Sequence, residues 1–482
     1  MSISQSLSNA LSGLTAASRM AEVVSSNLSN ALTDGYGRRS VDLSSQSIGG
    51  HGAGVRIDGI TRNVNSAILG DRRLADAALA GQQSLATTLN RVESTIGAVG
   101  DSNGLAARFA SLEQALTSVA GDPSSEVRQS NVVNRLTGVT AALKSSAADI
   151  RGLRQEAEDH ISSQIKTLNT SLVQVESLNK DINLAQNSGH DATALMDQRQ
   201  LVIDRISAIV PVRELARSNG TVAVMTTAGQ MLIDGPAAQY GFTAANYVTP
   251  DMTLASGGLR GITLNGVPLP GATGYGGLNG GSLAAAFTLR DKTLVGAQAG
   301  LDAVARDLID RFADPATDPT LAVGNAGLLT DAGAAFNPLD EVGLSGRIRV
   351  NAAVDPAQGG ALWRIRDGVN AGVAGPVGDG TQIDRWIDAL GNPRPLAGGG
   401  AARSAAGHIT SLISDIGSQR LGAEENLSFN IARWDSLHQA ELADGVDSDH
   451  ELQMLMQIEQ AYAANAKVMQ TVQSMIQTLM EI

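Results

Sequence analysis

The sequence predicts an α+β protein that is mainly helical, with terminal coiled-coil helices, discontinuous outer helical domains and a Gly-rich central region that contains β-structure. Apolar residues recur at three- and four-residue steps over long stretches near both ends of the chain. Clustered glycines and short β-branched runs fill the middle. The length of 482 residues suggests about two to four domains. Aromatic residues make up only 3% of the chain, so aliphatic side chains must build the cores.

The first element is predicted to be one helix over residues 3–32. Its apolar residues follow a nearly heptad spacing, which is typical of a helix that packs along a partner helix; they are Ile3, Leu7, Leu11, Leu14, Ala17, Ala21, Val24 and Leu28. The run Asp34-Gly35-Tyr36-Gly37 then ends the helix.

Further helical patterning continues to about residue 208. The predicted elements are an extended, loop-like stretch over 40–62 and helices over 64–120, 125–187 and 192–208. The break before 125 follows from Asp122-Pro123, after which Ser124 or Ser125 can cap a helix.

From Pro211 onward the pattern changes. We predict a β-hairpin over 221–225 and 230–233, strands and turns over 235–281, a helix over 282–312, irregular chain over 314–400 with short β candidates at 347–351 and 362–366, and helices over 404–442 and 449–480. The last helix is apolar over much of its surface and requires burial against another helix.

These elements predict outer domains built from segments that are distant in sequence. We assign 1–33 and 449–482 to the terminal coiled-coil helices, 34–210, 282–313 and 404–448 to a helical-bundle domain, 211–281 to a β-hairpin and strand region, and 314–403 to an irregular, β-containing outer region.

The composition excludes several classes of function. A formal net charge of −13 disfavours binding to nucleic acid or to an anionic membrane surface. The absence of cysteine excludes disulfides, thiol nucleophiles and thiolate metal sites. The sequence predicts no transmembrane helix and no cleaved secretory signal, which taken alone predicts a cytoplasmic protein.

No catalytic constellation is predicted, and neither a cofactor nor a metal. The six histidines are scattered, whereas a zinc site needs three or four convergent ligands; they are His51, His160, His190, His408, His438 and His450. Phosphate-binding loops and nucleophile elbows are missing from the sequence. Asp302, Asp307 and Asp310 are predicted to lie on helix surfaces, where they are solvated.

The two end helices allow two interpretations. An amphipathic helix usually faces its own core, but an apolar stripe at both extremities also fits an interface that forms on assembly. We favour the assembly interface, and we expect the ends to be mobile in the monomer. The predicted interface residues are Leu7, Leu11, Leu14, Val24, Leu28, Leu452, Leu455, Tyr462, Ala466, Met469 and Ile476.

Short motifs at both ends resemble the signatures of the flagellar rod, hook and hook-associated axial proteins. The first runs from Asn27 to Arg38 and the second from Gln460 to Val468. The residues that carry the resemblance are Asn27, Asn30, Ala31, Thr33, Gly35, Tyr36, Arg38, Ala461 and Asn465. Asp34 and Arg39 depart from the pattern, as does the run 447–451. From the residues alone, Gly35 is suited to a positive φ at the helix end, and Tyr36 to a loop that folds back onto the helix.

Interior motifs narrow the resemblance to the hook-associated protein 1 family. Leu178-Asn179-Lys180-Asp181-Ile182 is followed by a box that contains Asp197, Gln198 and Arg199, and both are similar to segments of that family. The resemblance covers both ends and most of 1–312.

The resemblance implies a structural, non-enzymatic subunit that joins the hook to the filament. It implies secretion by the flagellar type III apparatus, which replaces the cytoplasmic prediction. The implied partners are copies of the chain itself, hook protein, hook-associated protein 3 and an export chaperone at the C-terminal helix, without nucleic acid or membrane insertion. One alternative is another axial protein, such as hook protein or hook-associated protein 3. Another is a hydrolase or adhesin in the central β region.

Overall fold

The computed structural model describes residues 3–48, 51–98, 100–271 and 273–481. The chain begins with helix α1 (Ile3–Ser29) and continues into a long antiparallel hairpin of β1 (Arg38–Ile48) and β2 (His51–Asn63). Two hydrogen bonds join the hairpin to α1. Gln5 Nε2 donates to the carbonyl of Gly52 at 3.2 Å, and the Val55 N–H donates to Ser12 Oγ at 3.2 Å. The stretch predicted to be extended and loop-like is a β-hairpin that packs against the first helix.

Helices and short strands alternate through the next 250 residues. In chain order they are α2 (Ser66–Ile96), α3 (Leu105–Ala120), α4 (Glu126–Asn187), α5 (Thr193–Ile209), β3 (Val212–Ala216), β4 (Val222–Thr226), β5 (Met231–Ile233), β6 (Tyr240–Gly241), β7 (Thr263–Leu264), β8 (Val267–Pro268), α6 (Gly281–Thr288) and α7 (Leu294–Ala313), with a π-helical turn over Leu289–Thr293 between the last two. Strands β3, β4 and β5 form one antiparallel sheet, and β6, β7 and β8 form another.

The remaining elements are short until the last two helices. They are β9 (Leu329–Asp331), α8 (Leu344–Arg347), β10 (Ile348–Val350), α9 (Arg364–Asp367), α10 (Thr381–Gly391), β11 (Arg394–Leu396), β12 (Gly399–Arg403), α11 (Ala405–Ala443) and α12 (Ser448–Met480). Strand β9 pairs with β10, and β11 with β12, both antiparallel.

Helix α4 runs for 62 residues, about 93 Å at the helical rise. It starts as predicted, because Ser125 Oγ accepts a hydrogen bond from the N–H of Arg128 and so caps the first turn. Its first half contributes to one apolar core, together with α3, α7, α10 and the start of α11. Its second half contributes to another, together with α5, α6 and the sheet of β3, β4 and β5. One helix therefore connects the two large cores.

Each core also contains residues from a region that the sequence predicts to be separate from the helical bundle, either 314–403 or 211–281. Apolar residues from 321–390 lie in the first core, where Trp386 is fully buried and its indole N–H donates to the carbonyl of Ile365 at 3.1 Å. Apolar residues from 210–278 lie in the second core. The division at 211–281 and 314–403 stays a prediction, since both regions pack against the helical segments.

Two local predictions are wrong. The segment 362–366 is not a strand but contains the helical turn α9, because its N–H groups bond within the segment: Ile365 donates to the carbonyl of Leu362 and Arg366 to that of Trp363, each at 3.0 Å. Asp302 and Asp307 are not on the surface, whereas Asp310 is exposed.

Both buried carboxylates have partners. Asp302 accepts hydrogen bonds from the N–H groups of Gly343 and Ser345, each at 2.8 Å, and burial raises its pKa. Asp307 pairs with the fully buried Arg311 at 2.7 Å. These carboxylates hold loops and helices together within the body.

Within the described ranges, no helix combines the length and apolarity needed to cross a bilayer. The same part of the chain contains no group of three or more histidine, aspartate or glutamate side chains arranged so that they could hold a metal ion.

Candidate assembly site at the joint of the terminal helices

Helices α1 and α12 form an antiparallel pair. Ala17, Val24 and Ile458 are buried between them, as the apolar periodicity requires. Gly13 lies against Asn465 so closely that a Cβ on Gly13 would stand 2.7 Å from Asn465 Nδ2. The Asn465 side chain therefore occupies the space that glycine leaves on α1 at this point.

The structure brings the predicted interface residues onto this pair, but it buries only Val24 fully. Half-buried members are Leu7, Leu14, Leu455, Ala466 and Met469. Exposed members are Leu11, Leu28, Leu452, Tyr462 and Ile476. Further exposed apolar side chains on α12 are Met456, Val468, Met475, Leu479 and Met480. The helix pair thus buries part of its apolar surface and leaves the rest exposed to water.

The chain passes between this pair and the rest of the molecule twice, through 30–37 and through 444–447. Both segments line one cavity of about 310 Å³, with Tyr36 on one side and Gly445 on the other. We call these two segments, with the side chains that bind them, the joint.

Asn27 is the central residue of the joint on the side of α1. It is buried, and its Nδ2 donates to the carbonyl of Arg39 at 2.9 Å and to Glu451 Oε2 at 3.0 Å. Its Oδ1 accepts from the Tyr36 hydroxyl at 2.9 Å and from the Arg39 N–H at 3.0 Å. One amide therefore connects the end of α1, the start of the hairpin and the start of α12.

Glu451 supplies the opposite side of the joint. It is completely buried, and Oε1 accepts from Arg38 Nε at 2.7 Å. Asp447 caps the same helix by accepting from the N–H groups of Asp449 and His450. The run 447–451, which departs from the family pattern, still provides both a helix cap and a buried carboxylate.

Gly35 and Tyr36 act as the sequence predicts. Gly35 has a φ of +76°, which glycine adopts without the strain that a Cβ imposes. The Tyr36 ring then folds back onto α1, and the Arg39 guanidinium lies 4.8 Å from its centroid. At the end of α1, Asn30 Nδ2 donates to the carbonyl of Ser26 at 2.9 Å. Ala31 is half-buried at the cavity wall, and Thr33 is exposed.

Asp197, on α5, attaches the joint to the body. Its Oδ1 accepts from the Gly37 N–H at 3.0 Å and from Arg62 Nε at 2.6 Å, and its Oδ2 accepts from Arg39 Nη2 at 2.7 Å. Arg62 also binds the side chain of Gln200. The hairpin and the chain before it are thereby fixed to α5.

A second ion-pair cluster lies on the far side of the cavity. Arg72 on α2 contacts Asp76, Asp204 and Glu441 at 2.5–2.6 Å. Burial raises the pKa values of Asp76 and Glu441, because the partly desolvated carboxylates are less stable in ionised form. This cluster ties α2, α5 and α11 together where α11 leads into the joint.

The other interior motif residues are structural. Arg199 Nη1 donates to Asn179 Oδ1 at 2.9 Å and to the carbonyl of Gly220 at 2.8 Å. The amide of Asn179 exchanges two hydrogen bonds with the backbone of Val222. The two interior motifs therefore meet and fasten α4 and α5 to β4. Gln198 is exposed, and so is Ala461 on α12.

Sequence reasoning missed Glu451, Arg39 and Arg62 as members of the joint. Glu451 is 424 positions from Asn27, so no local pattern connects them. The available signal was position along the chain: Arg39 directly follows the first signature, and Glu451 precedes the second, which begins at Gln460.

Three family models match the chain in order. Residues 7–36 match the flagella basal body rod protein model, residues 89–327 match the model of the flagellar hook-associated protein FlgK helical domain, and residues 443–482 match the C-terminal model of the flagellar basal body rod FlgEFG proteins.

Relatives named flagellar hook-associated protein 1 occur in several bacteria. Flagellar hook-associated protein 1 of Escherichia coli is 25% identical over the full length of both chains. That of Salmonella typhimurium is 26% identical over 67% of this chain and 59% of its own. That of Bacillus subtilis is 23% identical over 47% of each.

Among solved structures, the flagellar hook junction protein FlgK of Burkholderia pseudomallei aligns with a TM-score of 0.45 at 21% identity, over 55% of this chain and 47% of that one. This partial similarity supports no inference by itself. The three family matches, which include the joint-forming segments at both ends, and the full-length relative agree with one another. The chain therefore belongs to the flagellar hook-associated protein 1 family.

Proposed function

We propose that this chain is a structural subunit of the bacterial flagellum that joins the hook to the filament, and that it assembles by packing its two terminal helices against neighbouring subunits. The observation that carries the proposal is the open apolar surface of the α1–α12 pair. Leu11, Met475 and Leu479 are each more than half exposed, although they lie on helices that already share a buried seam. Such a surface is stable in water only when another helix covers it.

The composition of the cores supports the same proposal. Neither of the two large cores contains a residue of α1 or α12. The body can therefore bury its own apolar residues without the end helices, which leaves those helices available for contacts between subunits.

As a flagellar axial protein, the chain assembles with other flagellar components. We propose copies of itself, hook protein and hook-associated protein 3 as the specific neighbours. An export chaperone would cover α12 before assembly, because its exposed leucine and methionine side chains otherwise favour aggregation.

The family is structural, and we propose that the chain carries no catalytic activity. A hydrolase or adhesin in 211–400 has little support, because the apolar residues of that range pack into the two large cores. Activity there is best tested on the full chain, since an isolated fragment would expose both cores.

Complementation of a deletion strain tests the proposal. A strain without this chain should form hooks that lack filaments and should release flagellin into the medium. The parent gene should restore filaments. Val468→Asp and Leu479→Asp should each fail to restore them, because a charge would then lie in an apolar interface.

The matched control is Val323→Asp, which places the same charge at an exposed valine of the body. It should restore filaments as well as the parent does. Normal filaments in the deletion strain would refute the junction assignment. Normal filaments with both α12 variants would refute the role of the terminal surface.

A further inference from the structure

The exposed methionine thioethers in the described part of this chain all lie on one helix, α12. The sequence has 11 methionines and no cysteine, so thioethers are its only sulfur groups. Among the methionines whose side chains the structure describes, those that are exposed all lie on α12: Met456, Met475 and Met480, at 57%, 52% and 83%. The other described methionines are half-buried.

The positions of these side chains place them on the open part of the helix. Met456 precedes the buried Ile458 by two residues, a rotation of about 200° around the helix, so its thioether points away from α1. The contacts of Asn27 with Glu451 and of Gly13 with Asn465 fix an antiparallel register. Continued along the helices, that register places Met475 level with Ile3 and Met480 beyond it.

Exposed thioethers react with peroxides. The sulfur lone pair attacks one peroxide oxygen, and an S–O bond forms as the O–O bond breaks. The departing hydroxide takes the proton from the oxygen now bound to sulfur, which gives water and the sulfoxide. The sulfur is oxidised by two electrons and the peroxide is reduced. The product is a polar sulfoxide that methionine sulfoxide reductases convert back to the thioether.

We propose that Met456, Met475 and Met480 form a peroxide-sensitive modification site, and that their oxidation in the unassembled chain prevents α12 from joining the flagellar axis. The inference rests on the proposed function, in which this surface is buried against a second chain. A sulfoxide oxygen brought into such an apolar contact loses its hydrogen bonds to water. Assembled subunits would be protected, because their thioethers are covered.

The experiment uses the purified full-length chain and hooks isolated from a strain that lacks it. The chain is treated with hydrogen peroxide, the peroxide is removed with catalase, and peptide mass spectrometry locates each added oxygen. Binding to hooks is measured by co-sedimentation, and each protein is compared with its own untreated sample. We expect oxygen first at the three α12 methionines and binding about tenfold or more weaker, restored by methionine sulfoxide reductase.

Two triple variants complete the test. Met456→Leu/Met475→Leu/Met480→Leu should show no change in hook binding on peroxide treatment. Met225→Leu/Met231→Leu/Met252→Leu, which alters half-buried methionines of the body, should remain as sensitive as the parent.

The outcomes separate the two proposals. Untreated parent chain that does not bind hooks would refute the proposed function, and the inference with it. Untreated chain that binds hooks, together with oxidised chain that binds equally well, would overturn the inference alone. Equal sensitivity of the α12 triple variant and the parent would also overturn it.

Discussion

Replacing Asn27 with alanine tests whether one buried amide holds the joint together. The substitution removes two hydrogen bonds to the backbone of Arg39, one to Glu451 and one to Tyr36. The Tyr36 hydroxyl keeps a second partner, Ser26 Oγ at 3.2 Å. The fully buried carboxylate of Glu451 keeps only the Arg38 guanidinium.

The expected cost follows from these four bonds. A net contribution of about 0.5–1.5 kcal/mol for each hydrogen bond gives about 2–6 kcal/mol for the four. Tyr36 keeps a second partner, and the Arg38 side chain is 24% exposed. We therefore expect a loss of folding free energy in the lower half of this range, at about 2–4 kcal/mol. Only the bond to Glu451 joins Asn27 to α12, and a hydrogen bond to a charged group contributes about 1.5–3 kcal/mol. Its loss raises the population in which α12 is detached from α1 by about 12- to 140-fold, at about 1.4 kcal/mol per factor of ten.

Amide hydrogen exchange of the full-length chain measures this population directly. Amides in the first turns of α12, over 448–458, should exchange faster in Asn27→Ala by the factor above, whereas amides in the middle of α4 should not change. Glu22→Gln is the control on the same helix, because it breaks an exposed ion pair between Arg19 and Glu22 worth about 0.5 kcal/mol or less.

Exchange over 448–458 that rises less than about threefold in Asn27→Ala would refute the reasoning, because such a change lies within about 0.7 kcal/mol. An equal rise in the exchange rates of the α4 amides would also refute it, because Asn27 would then stabilise the whole fold and not the joint alone.

Further predictions concern the turn, the buried carboxylate and the ends. Gly35→Ala should lower the unfolding free energy by about 1–2 kcal/mol, because a Cβ there meets Leu201 at 2.7 Å. Urea unfolding should show a larger loss of unfolding free energy for Gly35→Ala than for Gly189→Ala, where φ is also positive but no atom lies close to the added Cβ. Burial raises the pKa of Asp302 above its ordinary 3.8, so the folded state binds this proton more tightly than the unfolded state does. The parent should therefore lose stability relative to Asp302→Asn as pH rises above about 4; a difference that stays constant with pH would contradict this. Deleting 1–32 or 449–482 should leave the main thermal transition in place while abolishing filament assembly, and loss of that transition in calorimetry would show that the ends belong to the core.

The helical part of the fold was predictable because its signals are local. Apolar spacing predicted α1, α4, α11 and α12 to within a few residues, and Ser125 marked the start of α4 through its capping oxygen. The hairpin was not predictable in this way. Its strands contain more serine, arginine and glycine than a buried strand does, because α1 covers only part of them.

The joint was predictable in position but not in chemistry. The signature residues Gly35 and Tyr36 indicated a turn that folds back onto α1, as the structure shows. The pairing of Asn27 with Glu451 depends on the whole chain having folded. Asp302 presents the same difficulty, because its partners Gly343 and Ser345 lie at the start of α8, about 40 residues later in the chain. A charged residue on a helix looks solvated until α8 is placed.

The two crossings of the joint have a mechanical consequence. Under the proposed function, torque would pass between the terminal helices and the body of each subunit. A single covalent crossing would act as a swivel, whereas 30–37 and 444–447 form a two-point support that resists twisting. The Arg38–Glu451 bridge closes the space between the two points, and Asp197 anchors one of them to α5. We therefore expect load to pass along two backbones, with the buried polar contacts holding the two segments together.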